Sequence, residues 1–247
     1  MAIPLETWLK SEEFKEIADA PLKEFSEYLF FRNPLRNITV DDRFLKAPSD
    51  GILLYQGKYQ ANQKIVEVKG KKYTVRDILD DDTIPKEKKF YVFGIYLTSF
   101  SVHVVRTMTK GVILEIRNLL PILSNNFPMV LFESELLRNN PNFNFMQFSF
   151  LNQRTIVMQY SPVLRTRIYY VLIADAEVDK NLLFVGEDEA VSQAQRLAYV
   201  LFGSQLDVVI EAQDWFRLRK LVPNFYYIYA GLDDLYRVYF RYPYKVY

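Results

Sequence analysis

The chain has no cysteine and a single histidine, His103, among its 247 residues. The first absence excludes disulfides, thiolate nucleophiles and zinc–thiolate centres, and the second excludes any site built from several imidazoles. An excess of one charge is also missing. The 31 Lys and Arg nearly balance 30 Asp and Glu, and no basic block stands out, so neither composition nor patterning points to a nucleic-acid partner. Long apolar runs are lacking as well. The longest clean one, residues 168–174, is far short of the ~20 residues a membrane helix needs. Glu6, Lys10, Glu12 and Glu13 fall where a signal peptide would need an apolar stretch. The expectation is a cytoplasmic protein without signal peptide or transmembrane segment, and any membrane contact would be peripheral. The triplet Asp80-Asp81-Asp82 has no second carboxylate cluster at ligand spacing, so it reads as a solvated loop and no metal is expected.

Half of the residues are hydrophobic, enough at this length for a sizeable globular core. Strand patterns recur at 52–54, 90–97, 112–117, 143–150, 155–160, 168–174 and 198–210, and Gly70 turns a hairpin between 64–68 and 72–75. Asp50-Gly51 reads as the turn into the first of these strands. One helical turn is expected at 75–79 and a short helix at 130–138. At the N-terminus two short helices are expected within 5–31. Leu5, Trp8, Leu9, Phe14, Ile17 and Ala18 form one apolar face, and Leu22, Phe25, Tyr28 and Leu29 the other, both packed on the core. The predicted fold is therefore α+β, mostly β: an N-terminal helical segment, 1–31, followed by one β-rich domain, 32–247. Its aromatic tail, 225–247, is expected to add a terminal hairpin to the domain's own sheet. The competing role for the tail is a dock for a lipid surface or a second copy of the chain, giving a homo-oligomer.

The chemistry-bearing stretch is Phe202-Gly203-Ser204-Gln205-Leu206-Asp207-Val208. Apolar residues on both sides place Gly203-Ser204 in a sharp break between strands. If a base takes the Ser204 proton, the hydroxyl oxygen can attack the Gly203 carbonyl and turn the amide into an ester. β-Elimination then cuts the chain and leaves a dehydroalanine that hydrolyses to a pyruvoyl group. Glycine suits the step because it has no Cβ to block the attack. By itself Gly-Ser is a common turn, so other residues must support the reading.

Three segments, the last of which runs through this stretch, supply that support. Phe30-Phe31-Arg32-Asn33-Pro34 precedes Ala47-Pro48-Ser49-Asp50-Gly51; residues 97–106 hold His103 and Arg106; and residues 194–208 run from Ala194-Gln195-Arg196 through Phe202-Gly203-Ser204 to Val208. In this order they resemble the phosphatidylserine decarboxylases, in particular the short form, with Asn152-Gln153-Arg154 similar to a fourth, shorter element. The resemblance implies a self-cleaving, pyruvoyl-dependent carboxy-lyase that converts phosphatidylserine to phosphatidylethanolamine at a membrane surface. It implies Asp50, His103 and Ser204 as the catalytic triad, cleavage between Gly203 and Ser204, and a pyruvoyl cofactor derived from Ser204. The residue types fit. Histidine is the usual base for a serine near neutral pH, a carboxylate holds its tautomer, and the same imidazole can later return a proton to the decarboxylated carbon. Arg106 or Arg154 would receive the phosphodiester head group.

The chain departs from the family pattern at several places. Ala194 and Ala198 replace glycines, Gln205 replaces an arginine, Val105 an asparagine and Met108 a proline; Asn33 and Ser49 are milder changes. These changes, with the unfamiliar tail, are the basis of the rival reading: an unprocessed, non-catalytic homologue that serves as a binding or assembly protein.

Overall fold

A computed structural model describes residues 1–29, 31–122, 127–175, 181–200 and 204–241. Strands hold 39% of the residues and helices 17%, which makes the fold α+β and mostly β. Its backbone is a nine-stranded antiparallel sheet. In spatial order the strands are Ile3–Pro4, Tyr226–Ile228, Gly51–Gln60, Lys89–Leu97, Ser204–Glu211, Thr166–Ile173, Arg154–Ser161, Gly111–Leu119 and Ala190–Val191. The central strands Lys89–Leu97 and Ser204–Glu211 are buried almost end to end, as strands covered on both faces must be.

Alternation sorts their side chains into two cores. Phe93, Ile95, Leu97, Leu206, Val208 and Ile210 point to one side, against two small three-stranded sheets. One of these consists of Leu182–Leu183, Arg196–Tyr199 and Val104–Arg106; the other of Phe216–Lys220, Asp234–Phe240 and Phe44–Lys46. Val92, Tyr96 and Val209 point the other way, against the helices Val75–Leu79, Val130–Leu137 and Phe148–Leu151 and the N-terminal Leu5 and Trp8. The molecule is thus layered, with helices on one face of the main sheet and small sheets on the other.

The short helix at 75–79 is present, begun by a capping box of Thr74 and Asp77, and the hairpin at Gly70 pairs Val66–Val68 with Lys71–Tyr73. Three expectations are corrected. The run at 143–150 is not a strand: Phe143–Phe145 is a 3₁₀ turn begun by Asn142, and Phe148–Leu151 is helical. Met146 and Phe148 are buried against Phe132 and Tyr96, so the aromatic residues that suggest a strand are used for packing instead. The N-terminal segment breaks into short pieces at Leu5–Trp8, Glu12–Ala18, Leu22–Glu24 and a π-turn at Phe25–Leu29. Trp8 stacks on Tyr227 at 4.0 Å, but the second apolar face is packed only in part: Phe25 lies against Phe100, Val102 and Tyr199, whereas Leu22 and Tyr28 are 81% and 69% exposed. Finally, the described part of the tail, residues 225–241, forms no hairpin of its own. Tyr226–Ile228 joins the main sheet and Asp234–Phe240 a small one, with Tyr227, Ile228, Leu235 and Tyr236 buried.

Candidate active site

The loop before Gly51–Gln60, the loop after Lys89–Leu97 and the start of Ser204–Glu211 meet at one end of the main sheet. Register fixes this, since Ile52 pairs with Tyr96 and Leu97 pairs with Ser204. Gly51 makes the Asp50 turn possible: its φ is 142°, and a Cβ there would fall 2.3 Å from the Tyr96 carbonyl oxygen.

Asp50 is fully buried and held from two directions. Arg36 grips it with two parallel bonds, Nη1 to Oδ1 at 2.6 Å and Nη2 to Oδ2 at 2.7 Å, while the Ala230 amide donates to Oδ1 at 2.8 Å. Arg36 also donates to the Ala230 carbonyl, so one cation ties the turn to the segment after Ile228. The sequence reading did not single out Arg36. The signal available was Asp50 itself, since a carboxylate beside a buried strand needs a cation.

His103 is fully buried, and both its ring nitrogens face backbone carbonyls: Nδ1 lies 3.0 Å from Val200 O and Nε2 3.0 Å from Thr98 O. A neutral imidazole has one N–H and can donate to only one of them, whereas an imidazolium satisfies both. Burial opposes that charge and pulls the pKa down to about 4; the two carbonyls act in the opposite direction, and Arg32 adds to the depression. Ser204, the partner of Leu97, opens its strand with a fully buried hydroxyl that has no hydrogen-bond partner among the described residues. A buried hydroxyl in that state costs about 1–3 kcal/mol, so its retention calls for an explanation. Asp50, His103 and Ser204 therefore share one end of the sheet. Among the described residues no hydrogen bond joins Asp50 to His103 or Ser204 to either. Gly203 lies outside the described residues.

Arg106 belongs to this end. Its amide donates to Pro48 O and its guanidinium to Ala194 O at 3.0 Å. Half-burial, then Arg36 and Arg196 nearby, lower its pKa, which marks a concentration of positive charge beside Asp50. Arg154 lies two strands from Ser204 and donates to Asp77 O and Ile78 O, finishing the short helix on the other face of the sheet. The structure does not bring it to the other site residues.

The family model for phosphatidylserine decarboxylase matches residues 26–232, most of the chain. The chain belongs to the phosphatidylserine decarboxylase family. A search of curated proteins gave no significant match.

The departures from the family pattern now have locations. Ala194 occupies one of the glycine positions with a φ of 61°, the left-handed region that glycine enters at no steric cost. Met108 stands where the family has proline, and its amide donates to the Tyr170 hydroxyl at 2.9 Å, a bond proline cannot make. Gln205 replaces the family's arginine and donates to Tyr55 Oη and to Asp207 Oδ1, so a neutral side chain takes a place beside a buried carboxylate.

Proposed function

We propose that this family member is a proenzyme that cleaves itself between Gly203 and Ser204 and then decarboxylates phosphatidylserine to phosphatidylethanolamine. The observation that carries the reading is the Ser204 hydroxyl, buried without a hydrogen-bond partner among the described residues, at the strand end shared by His103 and Asp50. In the cleavage step the Ser204 oxygen bonds to the Gly203 carbonyl carbon, the hydroxyl proton passes to His103 and from it to the Ser204 nitrogen, and the C–N bond breaks to leave an ester and a free amine. While the ring holds that proton, the two carbonyls facing it both accept N–H bonds, which offsets part of the cost of a buried imidazolium. A base then takes the Ser204 Cα proton and the Cβ–O bond breaks, which releases the upstream chain as a carboxylate and leaves a dehydroalanine; water replaces its nitrogen, lost as ammonia, to give the pyruvoyl group.

The donor set fits a pyruvoyl group, because the serine that would become it is enclosed and uncommitted. That group supplies an electron-poor carbonyl that draws off the electron pair released as CO₂ leaves. The chain's own residues do the rest. Arg106 offers a phosphodiester the part of its guanidinium not spent on Ala194 O, and Arg36 holds the Asp50 carboxylate in place beside it. His103 returns a proton to the substrate carbon.

A bilayer as the source of substrate is supported by the exposed Leu22, Tyr28, Phe31 and Leu35. They flank Arg32, whose guanidinium donates to Phe100 O in the loop that leads to His103, and Phe31 stacks on Tyr199. The assembly reading is favoured by one observation, that Asp50 is already committed to Arg36 and Ala230. Purified protein mixed with phosphatidylserine vesicles separates the two. Release of CO₂ with appearance of phosphatidylethanolamine is expected. An intact chain that binds the vesicles and releases nothing would favour the assembly role.

A further inference from the structure

His103 meets one face of a peptide group whose other face meets a carboxylate. Thr98 O lies 3.0 Å from Nε2, and the Ser99 N–H, the other end of the same peptide unit, donates to Glu133 Oε1 at 2.9 Å. Glu133 is buried in the helix Val130–Leu137, and it also accepts from Ser99 Oγ at 3.1 Å. A carboxylate on the N–H side pushes electron density through the conjugated amide onto the carbonyl oxygen, which becomes a stronger acceptor. We propose that Glu133 is a positioning residue for His103, acting through the Thr98–Ser99 peptide to hold the proton on Nε2 and leave Nδ1 as the base.

This rests on the reading of His103 as the base for Ser204. It gives the site what Asp50, paired with Arg36, does not supply: a carboxylate coupled to the imidazole, one peptide removed. An acceptor that fixes one ring nitrogen selects the tautomer and frees the other nitrogen for proton transfer. When Nδ1 takes the serine proton, Val200 O is in place to accept it. The charged and titratable neighbours are Arg32 beside His103, and Tyr96 and Asp175 beside Glu133. Burial raises the Glu133 pKa, with Ser99 opposing the rise, so its proton is lost at a higher pH than that of an ordinary glutamate.

The chain has one histidine, so a single set of ¹⁵N imidazole shifts reports the tautomer without assignment. The measurement uses full-length protein held intact by Ser204→Ala. The Nε2–H form is expected to predominate. Glu133→Gln, which keeps an acceptor but removes the charge, should move the tautomer ratio toward Nδ1–H on the order of ten-fold. Glu133→Met, which removes the acceptor while keeping similar volume, should move it further. Ser99→Ala keeps the peptide N–H and should leave the ratio unchanged. A parent protein in the Nδ1–H form, or a ratio that neither Glu133 variant moves, would overturn the proposal. Because the spectrum needs no turnover, a chain that never cleaves still answers the question; absence of cleavage would count against the proposed function and not against the relay.

Discussion

Two buried aspartates, Asp50 and Asp207, solve the same problem in opposite ways. Asp50 is balanced by a full positive charge, the Arg36 guanidinium. Asp207 faces the helix layer and is surrounded by neutral donors: Tyr55 Oη at 2.6 Å, Tyr73 Oη at 2.7 Å and Gln205 Nε2 at 2.7 Å. Burial pushes its pKa up, while the three donors and Arg154 pull the other way. The Asp207 network uses both carboxylate oxygens and leaves only Gln205 Oε1 without a partner. The Asp50 end holds a serine hydroxyl with no partner among the described residues and a histidine between two acceptors. Polar groups with their bonds completed specify a fold. Those held in place with bonds left open are where a reaction can start.

The largest expected effect falls on the closed network. Asp207→Ala strands the O–H donors of Tyr55 and Tyr73 in the core, leaves the Gln205 amide with only its Tyr55 bond, and should cost about 3–5 kcal/mol in denaturant unfolding. Arg36→Ala leaves the Asp50 charge with one amide for company and should cost about 3 kcal/mol. If Arg36→Ala proves harmless to stability, Asp50 is better solvated than its burial indicates, and the contrast between the two aspartates weakens.

A pH series sharpens the comparison. The folded His103 pKa of about 4 lies below its ordinary value of 6.5, so between these values the unfolded chain takes up a proton that the folded one refuses. Its contribution, about 3 kcal/mol, is complete above pH 6.5 and is lost as the pH falls toward 4. Asp207 and Glu133 have raised values and act in the opposite sense, with stability that grows as they protonate. The difference between wild type and His103→Gln isolates the histidine: the variant should lose less stability between pH 7 and pH 5. Equal acid limbs would mean that His103 is accessible to water. A smaller gain is expected from Ala194→Gly, about 1 kcal/mol in unfolding free energy, because the left-handed backbone at Ala194 would then carry no Cβ penalty.

The sequence reading was strongest where local chemistry and position agree. Asp50-Gly51 was legible as a turn because Gly51 has a backbone only glycine tolerates well, and the main strands were legible as apolar, β-branched and aromatic runs, which strands buried on both faces require. Residues 143–150 misled because aromatic residues favour strands and a packed helix alike, and only the surrounding core decides between them. Arg36 and Glu133 were not singled out because their meaning lies in partners, Asp50 and Ser99, that are distant in sequence or carry no side-chain signature. The tail was read as aromatic with one face buried, and Tyr227, Ile228, Leu235 and Tyr236 are buried. That it divides between two sheets depends on strand pairings that composition does not encode.

The central claim is that the uncommitted Ser204 hydroxyl is there to react. Intact-mass spectrometry of freshly purified wild type and of Ser204→Ala tests it most directly. The account predicts two pieces from the wild type, one ending at Gly203 and one spanning 204–247 with a blocked N-terminus. Ser204→Ala should stay a single full-length chain, with unfolding stability unchanged or slightly raised, since its hydroxyl makes no bond to lose. A wild-type chain that keeps its full mass through long incubation near neutral pH would contradict it.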